Sequence, residues 1–360
     1  MIITTNAANF MAEHIYPPAE PSTLVPASRN RGQHMRQKLT LATAIFSLLF
    51  SCQLLAKPTA ELTAAKQTGI ALYNQYKMVP AIQHLTIAAK GGDAESQYYL
   101  AESIRNTKRY MTEEAQHWYE ESANQNNIYA MIQLGRSGDN LCINMGNCPK
   151  STKTPAQWLK GALDLTKPAA ESGDPEAMYL MYELTLKDEW LEKSANSGHA
   201  LAQYWMAIGT RQGDGFLLPW KRHEAVGNWL KLSAEGGYPP AMMEYAAFIY
   251  EDQGDLAVAR HWIIEAAQKG YKSGISSYGA YSAHSPSLYD FPLDRIKGYA
   301  LTSLLSELDG GGDVQVYVNE TLSEIAEKMT SEEISEANEF AKNWKATHPP
   351  LSFFPDKLSR

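Results

Sequence analysis

The chain has 360 residues, enough for one large domain or two ordinary ones. Hydrophobic residues make up 44% of it and charged residues 20%, which is not the composition of a disordered protein. Its formal net charge is -8, and no basic tract interrupts the sequence. These numbers argue against binding to a nucleic-acid backbone and are compatible with a basic protein partner.

Residues 1–34 are rich in Pro, Asn and Ala and have no apolar periodicity. Met35 follows them and stands directly before a segment with the layout of an export signal. We therefore predict that translation starts at Met35 and that residues 1–34 are a non-translated or disordered extension.

Residues 35–56 are predicted to be a secretory signal peptide. Arg36 and Lys38 form a short basic region, and an apolar run follows over Leu39–Leu49. This run is short for a membrane span and contains Ser and Thr. A buried amino-terminal helix is the alternative, but the basic flank argues against it. The sequence thus predicts export to the periplasm.

Two processing routes compete at the end of this segment. Leu49–Cys52 resembles a bacterial lipobox, in which the cysteine is lipidated and becomes the first mature residue. Ordinary cleavage after Ala56 is the rival route, although Leu54 is large for its position before the cut. If Cys52 carries the lipid, Gln53 after it implies, by the rule for such lipoproteins, an anchor in the outer membrane.

An internal repeat organises the chain from residue 57 to 309. In six stretches a bulky anchor residue is followed four and five positions later by two small residues, and eight positions later by Gly or Asn. A further small residue and then a bulky one follow at intervals of four. The anchors are His84, Trp118, Leu165, Trp190, Trp229 and Trp262. The turn residues are Gly92, Asn126, Gly173, Gly198, Gly237 and Gly270.

Spacings of four place side chains on one face of a helix, and small residues allow two helix backbones to approach closely. Gly or Asn can end the first helix in a left-handed conformation, and Pro175 after Gly173 fits the first turn of the next. The pattern predicts an all-α solenoid of antiparallel helix pairs.

The motif small-small-x-x-Gly-x-x-x-small with an upstream Trp resembles the Sel1-like repeat family over roughly residues 63–285. The resemblance implies a right-handed superhelix related to tetratricopeptide arrays, and a scaffold, adaptor or inhibitor role without catalysis. The short interval between Leu165 and Trp190 is similar to a subgroup of periplasmic immunity proteins. Those proteins neutralise phospholipase effectors of type VI secretion, so the resemblance implies a secreted toxin as the partner.

Cys142 and Cys148 lie in a Gly- and Asn-containing loop. In an oxidising compartment this pair is predicted to form a disulfide, and two unbonded thiols are the alternative. No neighbouring His or Cys supplies the further ligands that a zinc site needs, so no metal is expected.

The repeats are followed by residues 310–350, which we predict to be carboxy-terminal capping helices. Thr330–Glu333 reads as a capping box that opens the last helix, and Pro349–Pro350 ends it. Residues 351–360 are left as a tail.

The sequence contains no convincing catalytic constellation or cofactor motif. Its nine His are scattered, and His199 is expected to start a helix. Gly310–Gly312 lacks the following Lys and Ser or Thr that a phosphate loop requires. The Trp anchors are expected to pack in the core rather than to bind sugars.

The helix after each turn should line the concave side, with outward positions three and six residues after its small residue. They hold Tyr99, Glu102, Gln133, Arg136, Leu180, Glu183, Trp205, Ile208, Glu244 and Ala247. The candidate partner-binding residues among them are Tyr99, Glu102, Gln133, Arg136, Glu183, Trp205 and Glu244. Exposed aromatics near acids are common at interfaces, while an ordinary solvated face is the alternative.

Two functions follow from these features. The first is an immunity protein that blocks a secreted lipase or phospholipase. The second is a structural adaptor or scaffold lipoprotein in envelope or polysaccharide-export assembly. An adjacent lipase gene would favour the first, and a polysaccharide operon the second. In both cases the membrane is reached only through the lipid on Cys52.

Overall fold

The computed structural model describes residues 59–136, 141–215, 218–308 and 313–358. The first helices are α1 Ala60–Asn74, α2 Met78–Lys90, α3 Ala94–Lys108, α4 Glu113–Asn124, α5 Ile128–Gly135 and the short α6 Leu141–Met145. They are followed by α7 Pro155–Glu171, α8 Pro175–Thr185, α9 Asp188–Asn196, α10 Ala200–Gln212, α11 Pro219–Glu235 and α12 Pro239–Glu251. The last are α13 Leu256–Gln268, α14 Lys272–Ser282, α15 Arg295–Leu304, α16 Asp313–Ala326 and α17 Ser331–Thr347.

The fold is an all-α solenoid in which consecutive helices pack side by side as antiparallel pairs. All six predicted turn residues have left-handed backbone angles, from φ 66° at Asn126 to φ 102° at Gly173. The side chains of Asp93, Asn127 and Asp174 then cap the next helix by accepting a backbone N–H. His199 caps α10 through Nδ1, as expected for a helix-start residue.

Small residues hold the paired helices close together. Ser194 Oγ donates to the carbonyl oxygen of Pro175 over 2.7 Å, and Ser233 Oγ donates to that of Ala200 over 2.6 Å. Both serines are fully buried in the interhelical seam. A larger residue at either position would push the helices apart and remove the hydrogen bond, which explains the small-residue pair in the repeat.

The core column lies one residue after each anchor. Its members are buried, with exposures of 8% or less: Leu85, Tyr119, Thr166, Leu191, Leu230 and Ile263. The Trp anchors are only half-buried and pack against the edges of these clusters. The anchor Leu165 is 43% exposed, so its expected place in the packing is wrong. The buried residue is the one whose side chain points directly at the neighbouring helix. The anchor precedes it by one residue and is therefore rotated by about 100° around the helix axis.

The carboxy-terminal helices close the last pair. The capping box is present, since Thr330 Oγ1 accepts the Glu333 N–H and Glu333 accepts the Thr330 N–H. Ala337 and Ala341 of α17 are buried against Leu301 of α15. Helix α17 ends at Thr347, before the two prolines.

Several sequence predictions lie outside the described residues: the extension 1–34, the signal peptide 35–56 and the lipidation at Cys52. Within the described ranges, none of the helices combines the length and apolar character needed to cross a membrane.

Candidate functional site

The carboxy-terminal residues Leu351–Leu358 form an extended segment that lies across the inner helices of the solenoid. We call inner helices the first described helix and the six helices that follow the repeat turns: α1, α3, α5, α8, α10, α12 and α14. Both ends of the segment are anchored, because Leu351 and Leu358 are 5% and 3% exposed and belong to two different hydrophobic clusters. Residues 351–358 of the predicted tail therefore pack against the solenoid.

The segment enters at the turn between α13 and α14. The Ser352 N–H donates to the Gly270 carbonyl oxygen, and the Lys272 N–H donates to the Ser352 carbonyl oxygen, both over 2.9 Å. These two bonds form a parallel β-bridge between Ser352 and Tyr271. Gly270 is required here, because its φ is 78° and a Cβ would lie 2.5 Å from the Pro350 carbonyl oxygen.

The next residue reaches the other end of the array. The Phe353 N–H donates to the Asn74 carbonyl oxygen over 2.9 Å, and the Phe353 ring packs on Tyr76 with centroids 4.8 Å apart. Phe354 packs edge-on against Tyr271 with centroids 5.8 Å apart. Consecutive residues of the segment thus contact the first and the last inner helices.

The far end of the segment lies on α3 and α5. The Tyr98 hydroxyl donates to the Lys357 carbonyl oxygen. The Lys357 ammonium lies 4.9 Å from the centre of the Tyr129 ring and 3.9 Å from a Glu95 carboxylate oxygen. Both Lys357 and Glu95 side chains are 42% exposed, so this ion pair is worth at most about 1 kcal/mol. Burial of Leu358 provides most of the anchoring at this end.

Asp356 occupies the middle of this contact. Its Oδ1 accepts the Leu358 N–H over 2.9 Å, and its Oδ2 lies 3.4 Å from the Tyr179 hydroxyl. Burial raises the pKa of the Asp356 carboxyl, and the negative charge of Glu183 raises it further. The segment therefore places an acidic side chain where its ionised form is disfavoured.

Three of the predicted binding residues are not exposed. Tyr99, Glu102 and Gln133 have exposures of 5%, 0% and 8%. Tyr99 faces α1 and packs edge-on against Tyr73, with ring centroids 4.9 Å apart. Their expected place on the concave surface is therefore wrong.

Glu102 belongs to a buried polar network between α3 and α4. One carboxylate oxygen accepts the Tyr119 hydroxyl over 2.6 Å, and the other accepts Arg105 Nη2 over 2.9 Å. Arg105 Nε in turn donates to the Tyr119 hydroxyl over 3.0 Å. This network joins two helices and leaves Glu102 without access to a partner.

Three other predicted residues converge around Asp356. Arg136 Nη2 donates to the Glu183 carbonyl oxygen over 2.9 Å and also pairs with the Glu183 carboxylate. Trp205 is 38% exposed and lies near the Tyr179 hydroxyl, which faces Asp356. Trp205 also lines a groove of about 780 Å³ with Ile208 and Trp229.

Glu244 lies apart from these residues and pairs with Arg211 over 2.9 Å. Ile208 and Ala247 are half-buried, and Leu180 is buried with an exposure of 4%. The outward columns therefore do not form one continuous surface.

The sequence pattern did not identify the tyrosines that contact the segment. It placed the outward-facing positions one residue too far along each inner helix. Tyr98 and Tyr179 follow the small residue by two positions rather than three, a rotation of about 100° on a helix. Tyr129 precedes its small residue and donates to Glu176 over 2.6 Å. The recurrence of Tyr at Tyr98, Tyr179 and Tyr204 is the signal that could have identified this column.

The strongest catalytic candidate is the pair of His223 and Asp252. His223 Nε2 lies 2.7 Å from Asp252 Oδ1, and its ring stacks on Phe248 at 4.6 Å. The described residues that line the adjacent cavity of about 480 Å³ include no Ser, Thr or Cys. Across the described ranges, no three His, Cys, Asp or Glu residues are grouped to hold a metal ion.

Cys142 and Cys148 are paired, with Cα atoms 4.7 Å apart, and Cys142 is buried. The pair joins α6 to the loop before α7, and Cys142 belongs to the same hydrophobic cluster as Met131 and Ile132 of α5.

Fold and site together define an all-α repeat solenoid whose inner helices hold an extended polypeptide. No family model and no curated protein matches the sequence. Among solved structures the chain is similar to c5321, a protective antigen of uropathogenic Escherichia coli strains displaying an SLR fold. The two are 18% identical with a TM-score of 0.43, over 80% of this chain and 62% of that one.

A Sel1 repeat protein from Oxalobacter formigenes is similar over 67% of this chain and 98% of its own. It is 19% identical, with a TM-score of 0.37. The chain thus spans less than two thirds of the first of these proteins.

Proposed function

We propose that this protein binds another protein along its inner helices and performs no chemistry of its own. The observation that carries the proposal is the segment Leu351–Leu358, which those helices already hold by backbone hydrogen bonds and aromatic contacts. A surface that binds one extended polypeptide has the donors, acceptors and apolar sites to bind another.

The test is capture from the native cell envelope followed by titration with the purified captured protein. Trp205→Ala should weaken binding by roughly 1 to 4 kcal/mol, because Trp205 is an exposed aromatic residue on the inner helix α10. Trp220→Ala is the matched control, since Trp220 is 65% exposed and lies outside the Trp205 groove. Equal losses for both variants would contradict an interface at Trp205.

We further propose that the protein acts in the periplasm. The signal-like residues 35–56 support this location, and so does the pairing of Cys142 with Cys148. A fusion of residues 35–60 to a reporter active only outside the cytosol should be active. Both thiols should resist alkylation until a reductant is added. Loss of lipid labelling in Cys52→Ala would support the lipoprotein route, and unchanged processing would support cleavage after Ala56.

The partner we propose is a secreted lipase or phospholipase effector that this protein blocks as an immunity protein. The repeat resemblance and the shortened interval before Trp190 support this choice. Blocking by occlusion would cover on the order of 1,200 to 2,000 Å² in total. Co-expression should rescue cells from the captured lipase, and Trp205→Ala should reduce the rescue.

The alternative is a structural adaptor in envelope or polysaccharide-export assembly, which the lipobox-like sequence at Leu49–Cys52 favours. Capture of assembly proteins alone, with no toxicity to relieve, would replace the immunity proposal with this one.

A further inference from the structure

We infer that the inner helices recognise an extended partner segment in which aromatic residues are followed by a basic residue. The chain's own residues 351–358 are an internal competitor that such a segment displaces. This inference rests on the proposed function, namely that the protein binds another polypeptide.

The backbone hydrogen bonds where the segment begins select a partner with an extended conformation. Gly270 and Lys272 offer one acceptor and one donor to Ser352, as in a strand pair, and the Asn74 carbonyl oxygen accepts the following N–H. These contacts involve only main-chain atoms of the bound segment. They therefore fix its conformation and are available to any sequence without Pro at the two donor positions.

Two tyrosine rings of the protein select aromatic side chains in the bound segment. Tyr76 contacts Phe353, and Tyr271 contacts Phe354. Both contacts join surfaces of inner helices from opposite ends of the array. A partner segment with two adjacent aromatic residues reproduces them.

The acidic residues around Lys357 select a basic side chain in the bound segment. Glu95, Asp174 and Glu176 line one cavity of about 400 Å³ together with Lys357. Lys357 is the one cation among the described residues that line this cavity, and Lys66, outside the lining, pairs with Glu95 over 2.9 Å. The cavity is therefore net negative, and its occupant is the Lys357 ammonium held over the Tyr129 ring.

Asp356 makes the chain's own segment a weak occupant. Its carboxylate lies near Glu183, and its contact with the Tyr179 hydroxyl is long at 3.4 Å. Burial and the Glu183 charge both disfavour the ionised form. A competing segment with Asn at this position keeps an acceptor for the Leu358 N–H and avoids this repulsion.

The test uses the full chain with Tyr271→Cys and Ser352→Cys. This variant lacks the Tyr271 ring in both redox states, so its oxidised form is compared with its own reduced form. Residues in a β-bridge lie close enough for a disulfide, so oxidation locks the segment in place. The probe is a fluorescent synthetic peptide with the sequence of residues 351–358 and Asp356→Asn. We expect the reduced protein to bind it at least about tenfold more tightly than the oxidised protein. Wild type with and without reductant controls for the pair Cys142 and Cys148.

A second variant tests displacement without a lock. Leu358→Ala weakens the hold on the internal segment and leaves an apolar site that the peptide's own Leu can fill. This variant should bind the peptide about tenfold more tightly than wild type, because less of the site is occupied. A peptide that also carries Lys357→Glu should bind at least about tenfold more weakly.

Equal peptide affinity in the locked, reduced and Leu358→Ala proteins would overturn the inference, and so would no binding in any of them. Equal capture of the native partner by locked and reduced protein would keep the proposed function and reject this site. Failure to capture any partner, with peptide binding as expected, would reject the proposed function alone.

Discussion

The Phe353 N–H donates to the Asn74 carbonyl oxygen over 2.9 Å, so a residue near the end of the chain is bonded to the end of its first described helix. The preceding N–H, that of Ser352, bonds to Gly270 at the start of the last inner helix. Two successive amides thus connect both ends of the repeat array. The segment closes the array and covers part of its inner surface at the same time.

Replacing Gly270 should disturb this closure more than replacing an equivalent turn residue. Gly270→Ala places a methyl group 2.5 Å from the Pro350 carbonyl oxygen, whereas Gly198→Ala meets nothing within 4 Å. Both variants lose about 1 to 2 kcal/mol because an L-residue adopts a left-handed conformation. Urea denaturation should show a larger loss for Gly270→Ala, together with faster proteolysis after Pro350. Equal losses would contradict the contact.

Removing Glu102 should destabilise the fold without acting on a binding surface. Glu102→Ala leaves Arg105 without its carboxylate in a mostly buried site, a change that costs roughly 3 to 5 kcal/mol. Chemical denaturation measures the loss. Glu121→Ala, an exposed position on α4, should stay within about 0.5 kcal/mol of wild type. Apolar replacements at Glu102 and Arg105 combined with Tyr119→Phe should recover much of the loss, because no buried polar group of the network is then left unpaired.

The Asp356 carboxyl should make stability depend on pH. Its pKa is raised in the folded state, so the folded protein holds this proton more tightly than the unfolded chain. Stability therefore falls as pH rises from the ordinary Asp pKa of about 3.9 through the raised value. The titratable and charged groups around it are Tyr129, Arg136, Tyr179, Glu183, His199 and Tyr238.

Asp356→Asn should therefore stabilise the protein at neutral pH, and the gain should disappear below about pH 4. Thermal unfolding of both proteins across this range measures the difference. Asp164→Asn is the control, because Asp164 is exposed on α7 and forms a solvent-exposed ion pair with Lys160. A gain independent of pH would show that the carboxyl charge is not its cause.

The core column can be tested by comparing two leucines on the same helix, α11. Leu230 is fully buried, and Leu232, two residues later on α11, is 44% exposed. Leu230→Ala should lower the free energy of unfolding by about 2 to 5 kcal/mol, because it opens a cavity between paired helices. Leu232→Ala should cost less than about 1 kcal/mol. Guanidinium denaturation of the two variants separates them, and similar losses would mean that the column is misplaced.

The repeat unit could be predicted from the sequence alone. Turn residues such as Gly92 and Asn126, caps such as Asp93, and the small seam residue Ser233 are set by local backbone conformation and by one neighbouring helix. Such short-range constraints recur at each repeat and are therefore visible as a pattern. The capping box at Thr330–Glu333 could be predicted for the same reason.

Which face of each inner helix is exposed was decided by the tertiary structure. Tyr99 and Tyr98 are adjacent in sequence, yet Tyr99 packs on Tyr73 while Tyr98 binds the Lys357 carbonyl oxygen. The difference depends on how the helices rotate against their neighbours, and the repeat pattern leaves this rotation open by about one residue.

The role of residues 351–358 depended entirely on the curvature of the array. Nothing in the local sequence pairs Phe353 with Asn74 or Ser352 with Gly270. These contacts exist because small rotations at successive helix pairs add up until the first and last inner helices reach the same segment. The sequence by itself determined the repeat unit, and only the tertiary structure decided what occupies the surface that the units build together.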